Sequence, residues 1–148
     1  MQIQYPPYRP RIKEENQKEY IFDEIRKQWV RLTPEEWVRQ NFLQYLIVIK
    51  KYPPSLIAIE KEIKVGEMRK RFDVLIYALD KPWMIIECKE QNVALNDAVI
   101  KQMLGYYSKV QTEYITLTNG NETHCFRIKN GEILAVSMIP SYKKSENS

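Results

Sequence analysis

The residues predict an α/β (α+β) fold, a mixed central β-sheet flanked by helices. Three observations carry that expectation. A helix-period stretch begins behind Thr33, a block of strand-like runs fills positions 56–89, and a second helix-period stretch from Asn96 precedes further strands. No internal repeat and no linker divides the chain.

Each element has its own signal. Residues 1–18 are rich in proline and charge and read as an irregular N-terminal arm. Glu19 to Leu32 mixes Tyr20, Ile21, Phe22, Ile25, Trp29 and Val30 with charged residues and fits a strand or a short helix. Thr33-Pro34-Glu35-Glu36 is an N-cap, a proline at the first helical position and a glutamate placed to close a capping box. Val38, Phe42, Leu43, Leu46 and Ile47 then recur at helical spacing until Lys50–Pro54.

The period changes at Leu56. Leu56 to Lys64 reads as a strand closed by a turn at Gly66. Phe72–Leu79 and Trp83–Lys89 follow, joined by Asp80-Lys81-Pro82. Both are apolar on both faces near their middles, as central strands covered on two sides require. Asn96 to Val110 is predicted to be a helix with Val99, Met103, Tyr106 and Tyr107 as its apolar stripe. Tyr114–Thr118, Thr123–Ile128 and Ile133–Ile139 complete the sheet, with turns at Asn119-Gly120 and Asn130-Gly131. The domain is therefore expected to span 19–142, with a disordered polar tail over 143–148.

Composition excludes several chemistries. A chain of 148 residues with 44% hydrophobic content suits one compact core. A single histidine, His124, rules out a histidine-based metal cluster. Four glycines include no G-x-x-x-x-G-K-[ST] loop, so these residues encode no P-loop motor. Any metal would rest on carboxylate and carbonyl oxygens, which suits Mg²⁺ or Mn²⁺. Two cysteines without a Cys-x-x-Cys pair, no signal peptide and no apolar run long enough for a bilayer point to a cytoplasmic protein without a membrane partner. A net charge of +4 and a pI near 9.0 are compatible with nucleic acid but do not select it.

The chemistry concentrates in the 72–89 hairpin. If its turn centres on Asp80 and Lys81, residues whose numbers sum to about 160 face each other, which sets Asp73 opposite Glu87. Glu87 and Lys89 share a face because side chains alternate along a strand. Charges beside an apolar sheet are costly unless compensated. A divalent cation between Asp73 and Glu87, with the Cys88 backbone carbonyl as a third ligand, would compensate them. A strand-end ion pair from Lys89 to either carboxylate would also account for the three residues. Glu62-Ile63-Lys64 has the same Glu-x-Lys spacing but no aspartate opposite it.

Two carboxylates with a lysine two positions beyond the second form a D…ExK arrangement. Lys70-Arg71-Phe72-Asp73-Val74 and Pro82-Trp83-Met84-Ile85-Ile86-Glu87-Cys88-Lys89 resemble the core of the type I restriction enzyme R protein N-terminal family, a PD-(D/E)xK nuclease family. Leu32 to Gln40 resembles that family's opening helix, and Leu117-Thr118-Asn119-Gly120 its later strand end. The resemblance runs from about Phe22 to Pro140.

The resemblance implies a restriction-endonuclease-like core and Mg²⁺-dependent DNA cleavage through Asp73, Glu87 and Lys89. It implies that Glu36 is the helical acidic residue turned to the metal, with Glu35 as its rival; closing the capping box is a sufficient alternative role for Glu36. It also implies DNA contacts from Arg71 and from Gln102 and Tyr106, which match a Gln-x-x-x-Tyr motif; a surface amide and a half-buried aromatic would look the same. Without a motor, the expected modes are autonomous cleavage, assembly with a specificity or motor partner, homodimerisation to cut both strands, or a non-cleaving DNA-binding or assembly module.

Overall fold

The computed structural model describes residues 1–144; positions 145–148, most of the expected tail, lie outside the described residues. The expected α+β architecture is present, with two α-helices, a six-stranded mixed sheet and a separate three-stranded sheet.

The three-stranded sheet resolves the N-terminal region differently from the sequence expectation. β1 (Ile12–Glu15), β2 (Lys18–Asp23) and β3 (Gln28–Arg31) form an antiparallel meander. Part of the expected irregular arm is thus a strand. Its sequence, Ile-Lys-Glu-Glu, lacks apolar alternation, so only pairing with β2 reveals it. Asn16 and Gln17, at φ 54° and 64°, make the tight turn that hairpin twist favours. The Glu19–Leu32 ambiguity resolves to two strands rather than a helix. Aromatics on one face and Ile21 on the other had hidden the two-residue period.

Thr33 caps α1 (Pro34–Gln44), accepting the Glu36 backbone N–H at 3.0 Å. The helix continues as a π-helical turn over Tyr45–Ile49. The expected capping box is only half formed, because the Glu36 carboxylate is taken by Arg26, Arg39 and Gln40.

The large sheet runs β4 (Ile57–Val65), β5 (Met68–Ala78), β6 (Lys81–Cys88), β7 (Tyr114–Thr118), β8 (Thr123–Lys129), β9 (Glu132–Val136), in that spatial order. Among the described residues only β6 and β7 pair in parallel; the crossover between them carries α2 (Asp97–Tyr107). Asn96 caps α2 by accepting the Val99 N–H.

Each face of the sheet is covered by one helix. Val74, Ile76, Met84, Ile86 and Cys88 pack with Phe42, Leu43 and Leu46 on the α1 side. Leu75, Ile85, Ile115 and Leu117 pack with Met103, Leu104 and Tyr107 on the α2 side. This double cover explains why β5 and β6 read as continuous apolar runs. The α2 stripe is rotated from the one expected. Ile100, Met103, Leu104 and Tyr107 face the sheet, while Tyr106 is 48% exposed. Apolar residues at 99, 100, 103, 104, 106 and 107 offer two overlapping stripes, and packing selects one.

Candidate active site

The β5–β6 hairpin positions the central carboxylates. Its turn is Leu79-Asp80, both at positive φ (51° and 62°), one residue earlier than the sequence suggested. Such a turn alone pairs residues summing to 159, as Ala78↔Lys81 and Tyr77↔Pro82 do. That register would set Asp73 against Ile86, with every side chain beyond it on the wrong face. A bulge between Ile76 and Tyr77 shifts the ladder by one. Ile76↔Met84, Leu75↔Ile85 and Val74↔Ile86 follow, where the paired ladder ends; Asp73 and Glu87 are the next residue on each strand, and their carboxyls act on each other.

Asp73 accepts the Cys88 backbone N–H through Oδ2 at 2.9 Å. In an extended strand the N–H and C=O of one residue point to the same side, so the Cys88 carbonyl is also turned toward β5. The Cys88 thiol lies fully buried in the α1-side core, and burial pushes its pKa well up, which leaves it an inert packing group. Lys89 anchors the strand end by donating its N–H to the Thr118 carbonyl at 2.9 Å.

The electrostatics are those of a crowded anionic site. Glu87 is 9% exposed, and burial followed by the Asp73 charge raises its pKa to about 7. Burial also raises Asp73, against the opposing pull of the Cys88 N–H and the Arg39 charge. Lys89 Nζ stands 3.7 Å from Glu87 Oε1, an ion pair too long for a hydrogen bond. The strand-end pairing foreseen from sequence is therefore there, yet it does not neutralise Glu87. The Tyr107 phenol, beside Glu87, is raised by burial and by that carboxylate.

The two α1 glutamates diverge. Glu35 is exposed, and partial burial of its carboxyl followed by the Asp73 charge raises its pKa. Glu36 is buried, but the Arg39 fork outweighs burial and holds it below the ordinary carboxylate range. Arg39 donates Nε to Glu36 Oε2 at 2.8 Å and Nη2 to Oε1 at 2.6 Å. Its Nη1 meets Glu60 Oε1 at 2.6 Å and stands 4.0 Å from Asp73 Oδ1. Glu60 also accepts Arg71 Nε at 2.7 Å.

Arg39, Glu60 and Tyr107 were not legible as site residues. Glu60 sits on β4 at φ 56°, level with Asp73, and only the β4–β5 register brings it there. Arg39 and Tyr107 sat inside stretches whose helical spacing already explained them. The Glu62-Ile63-Lys64 triplet remains outside the site, with Glu62 paired across β4–β5 with Arg71 in register and with Arg69 at 3.9 Å. Gln102 is exposed on α2, and the Tyr106 ring lies under Lys70 Nζ at 3.9 Å. Neither touches the carboxylate pair, and the α2 residue beside Glu87 is Tyr107. Asn119 serves its turn: its side chain accepts the Asn121 and Glu122 N–H groups and donates to the Val93 carbonyl.

One family profile matches the chain over residues 34–140, the type I restriction enzyme R protein N terminus. The chain belongs to this family. The match takes in α1, the whole large sheet, α2 and every residue of the carboxylate site, while β1 to β3 precede it. No curated protein matches the chain. Membership ties the domain to restriction enzymes and supports a nuclease-related role.

Among the described residues, no three Asp, Glu, His or Cys side chains gather into one ligand cluster. A cation here would rest on two carboxylates, a backbone oxygen and solvent. That is the donor set Mg²⁺ accepts, since it keeps several waters and takes one or two carboxylates. Glu87, raised by burial and by the Asp73 charge, fits a site for positive charge. No helix among the described residues is long and apolar enough to cross a membrane.

Proposed function

We propose that this chain is a Mg²⁺-dependent DNA endonuclease, with Mn²⁺ able to substitute, that hydrolyses phosphodiester bonds in the cytoplasm. The observation that carries this reading is the opposition of Asp73 and Glu87 at the bulged hairpin, with Lys89 beside Glu87. Family membership supports it.

Asp73, Glu87 and the Cys88 carbonyl would hold the cation. When bound, it supplies Lewis acidity to the scissile phosphate and the attacking water. The chain's own residues do the rest. Lys89, the ammonium at the site mouth, orients the water or offsets charge growing on the phosphate. Glu35 on α1 completes the acidic wall, and Glu36 acts through Arg39, which props Asp73. Arg71 keeps guanidinium N–H groups free of its Glu60 bond for a phosphate, and the exposed Gln102 and Tyr106 extend the DNA path along α2. A specificity or motor partner, or a second copy to cut the other strand, would act on this same site.

Cleavage of supercoiled and linear DNA with Mg²⁺ or Mn²⁺ tests the reading against Asp73→Ala and Lys89→Ala. Metal-dependent cleavage lost in both variants establishes it. Absence of cleavage by folded protein across metals and substrates transfers the role to a DNA-binding or assembly module.

A further inference from the structure

The outer face of the N-terminal meander is built unlike an ordinary solvent face. Cross-strand register puts Arg11, Lys13, Glu15, Lys18, Tyr20, Phe22, Trp29 and Arg31 on one side. The opposite side holds Ile21 and Asp23, both fully buried, with Asp23 bonded to Gln40 of α1. The outer face therefore carries three half-buried aromatics that the core does not need, with four cations and one carboxylate among them.

The rings and cations are interleaved. Phe22 and Trp29 meet edge to face with centroids 5.3 Å apart. Arg11 lies 4.4 Å from the Phe22 centroid and 5.4 Å from that of Trp29, and Lys13 lies 4.6 Å from Trp29. Among the described residues Lys13 pairs with Glu15 at 3.2 Å, while Arg11, Lys18 and Arg31 make no ion pair. Cations interleaved with fixed aromatic rings match a polyanion that also exposes flat rings, which is an unpaired nucleic acid strand. A duplex hides its base faces, and a lipid surface has none.

We propose that this face binds single-stranded DNA, its bases stacking on Trp29, Phe22 and Tyr20 and its phosphates meeting Arg11, Lys13, Lys18 and Arg31. The surface precedes the residues matched by the family, so it is a feature of this chain beyond the carboxylate site. It is fixed to that site through the Asp23–Gln40 bond at 2.8 Å and the Arg26–Glu36 bond at 3.2 Å. A strand held there stays in constant relation to α1. The choice of DNA rests on the proposed endonuclease reading; binding itself does not require that the chain cleave.

The test is fluorescence anisotropy in EDTA, with a labelled 12-nucleotide single strand, the same sequence as duplex, and an RNA counterpart. The full-length chain is compared with Trp29→Ala, with Arg11→Gln/Lys13→Gln and with Lys18→Gln/Arg31→Gln, all checked by circular dichroism. The expected result is single-strand binding weakened about tenfold by Trp29→Ala, the order that one stacked base contributes. Each double substitution should flatten the salt dependence by about 1.4 in log–log slope. No single-strand binding at low salt, binding indifferent to these substitutions, or equal losses on duplex would overturn the proposal. Tighter binding of the RNA, or capture of anionic vesicles in place of the oligonucleotide, would overturn it too. Because the assay contains no metal, its failure leaves the Mg²⁺ cleavage measurement to decide the carboxylate site separately.

Discussion

The backbone N–H of Cys88 is bonded to the Asp73 carboxylate at 2.9 Å, while the Cys88 thiol is locked in the core on the α1 side. One residue thus ties the Asp73 carboxylate to the packing of the sheet. The bond fixes Asp73 at the point where Glu87 and Lys89 arrive from the neighbouring strand. Asp73→Asn keeps the shape and the N–H bond but removes the charge. It is expected to leave the fold intact and to abolish metal-dependent cleavage, and Lys89→Ala to cost about 10²–10³ in rate. Single-turnover cleavage at saturating Mn²⁺ measures both; full activity in Asp73→Asn would remove Asp73 from the mechanism.

The two α1 glutamates are separable. Glu35→Gln is expected to weaken Mn²⁺ binding and cleavage with little change in stability, because the Asp73 charge acts on its exposed carboxyl more strongly than the Lys89 or Arg39 charge. Glu36→Gln is expected to do the reverse, since it breaks the fork with Arg39. Calorimetric Mn²⁺ titration alongside urea unfolding distinguishes them, and a Glu36→Gln variant of normal stability that no longer binds metal would invert the assignment.

Arg39, only 7% exposed, joins the buried Glu36 to the partly exposed Glu60. Replacing it with methionine leaves the buried Glu36 only its longer bonds from Arg26 and Gln40, and Glu60 only its bond from Arg71. A loss of about 3–5 kcal/mol follows from leaving buried charge unpaired. Equilibrium urea denaturation reads it, and a loss under about 1 kcal/mol would mean that solvent reaches the network.

In the metal-free protein, stability is expected to fall as pH rises from about 4.5 to 7. Glu87 has its folded pKa near 7 against an ordinary 4.5, so the folded state holds more protons than the unfolded state across that window. The stabilisation is fully present below the lower value and gone above the higher one, a swing of about 3 kcal/mol at about 1.4 kcal/mol per pKa unit. Glu87→Gln flattens the profile. Mg²⁺ should stabilise the protein more at pH 8 than at pH 5.5, because it no longer competes with that proton. Thermal unfolding with and without Mg²⁺ at the two pH values is the check; a larger metal effect at pH 5.5 would contradict it.

Leu79 and Asp80 hold left-handed φ in the hairpin turn, and Leu79 is 77% exposed. Leucine there is strained and buries little. Leu79→Asn/Asp80→Gly, the pair that suits this turn, should stabilise the domain by about 1 kcal/mol with cleavage unchanged. A drop in melting temperature would show that the Leu79 side chain has a partner.

The sequence displayed the parts whose signals are local. Thr33-Pro34 marked the start of α1, and Asn130-Gly131, at φ 52° and 77°, marked the β8–β9 turn. The opposition of Asp73 and Glu87 was reached from a turn placed one residue late, and the bulge at Ile76/Tyr77 supplied the missing shift. A bulge leaves no trace in an apolar run. Glu60 and Arg39 were hidden for a related reason: their importance lies in which strand stands beside which helix, and no spacing along the chain encodes that. The α2 stripe stayed open because leucine, methionine and tyrosine fill two adjacent helical faces equally well.

The bulge also constrains how this hairpin changes over generations. Turn and bulge each shift the register by one residue, and only together do they return the carboxylates to the same level. Loss or gain of one residue between Ile76 and Met84 turns the strand segment beyond it face for face, carrying Glu87 away from Asp73 while the core side chains exchange surfaces. A change of two preserves the faces. Lineages of this domain should therefore vary the hairpin tip in steps of two, or lose the bulge and one turn residue in a single event, and chains that did neither should have lost the site.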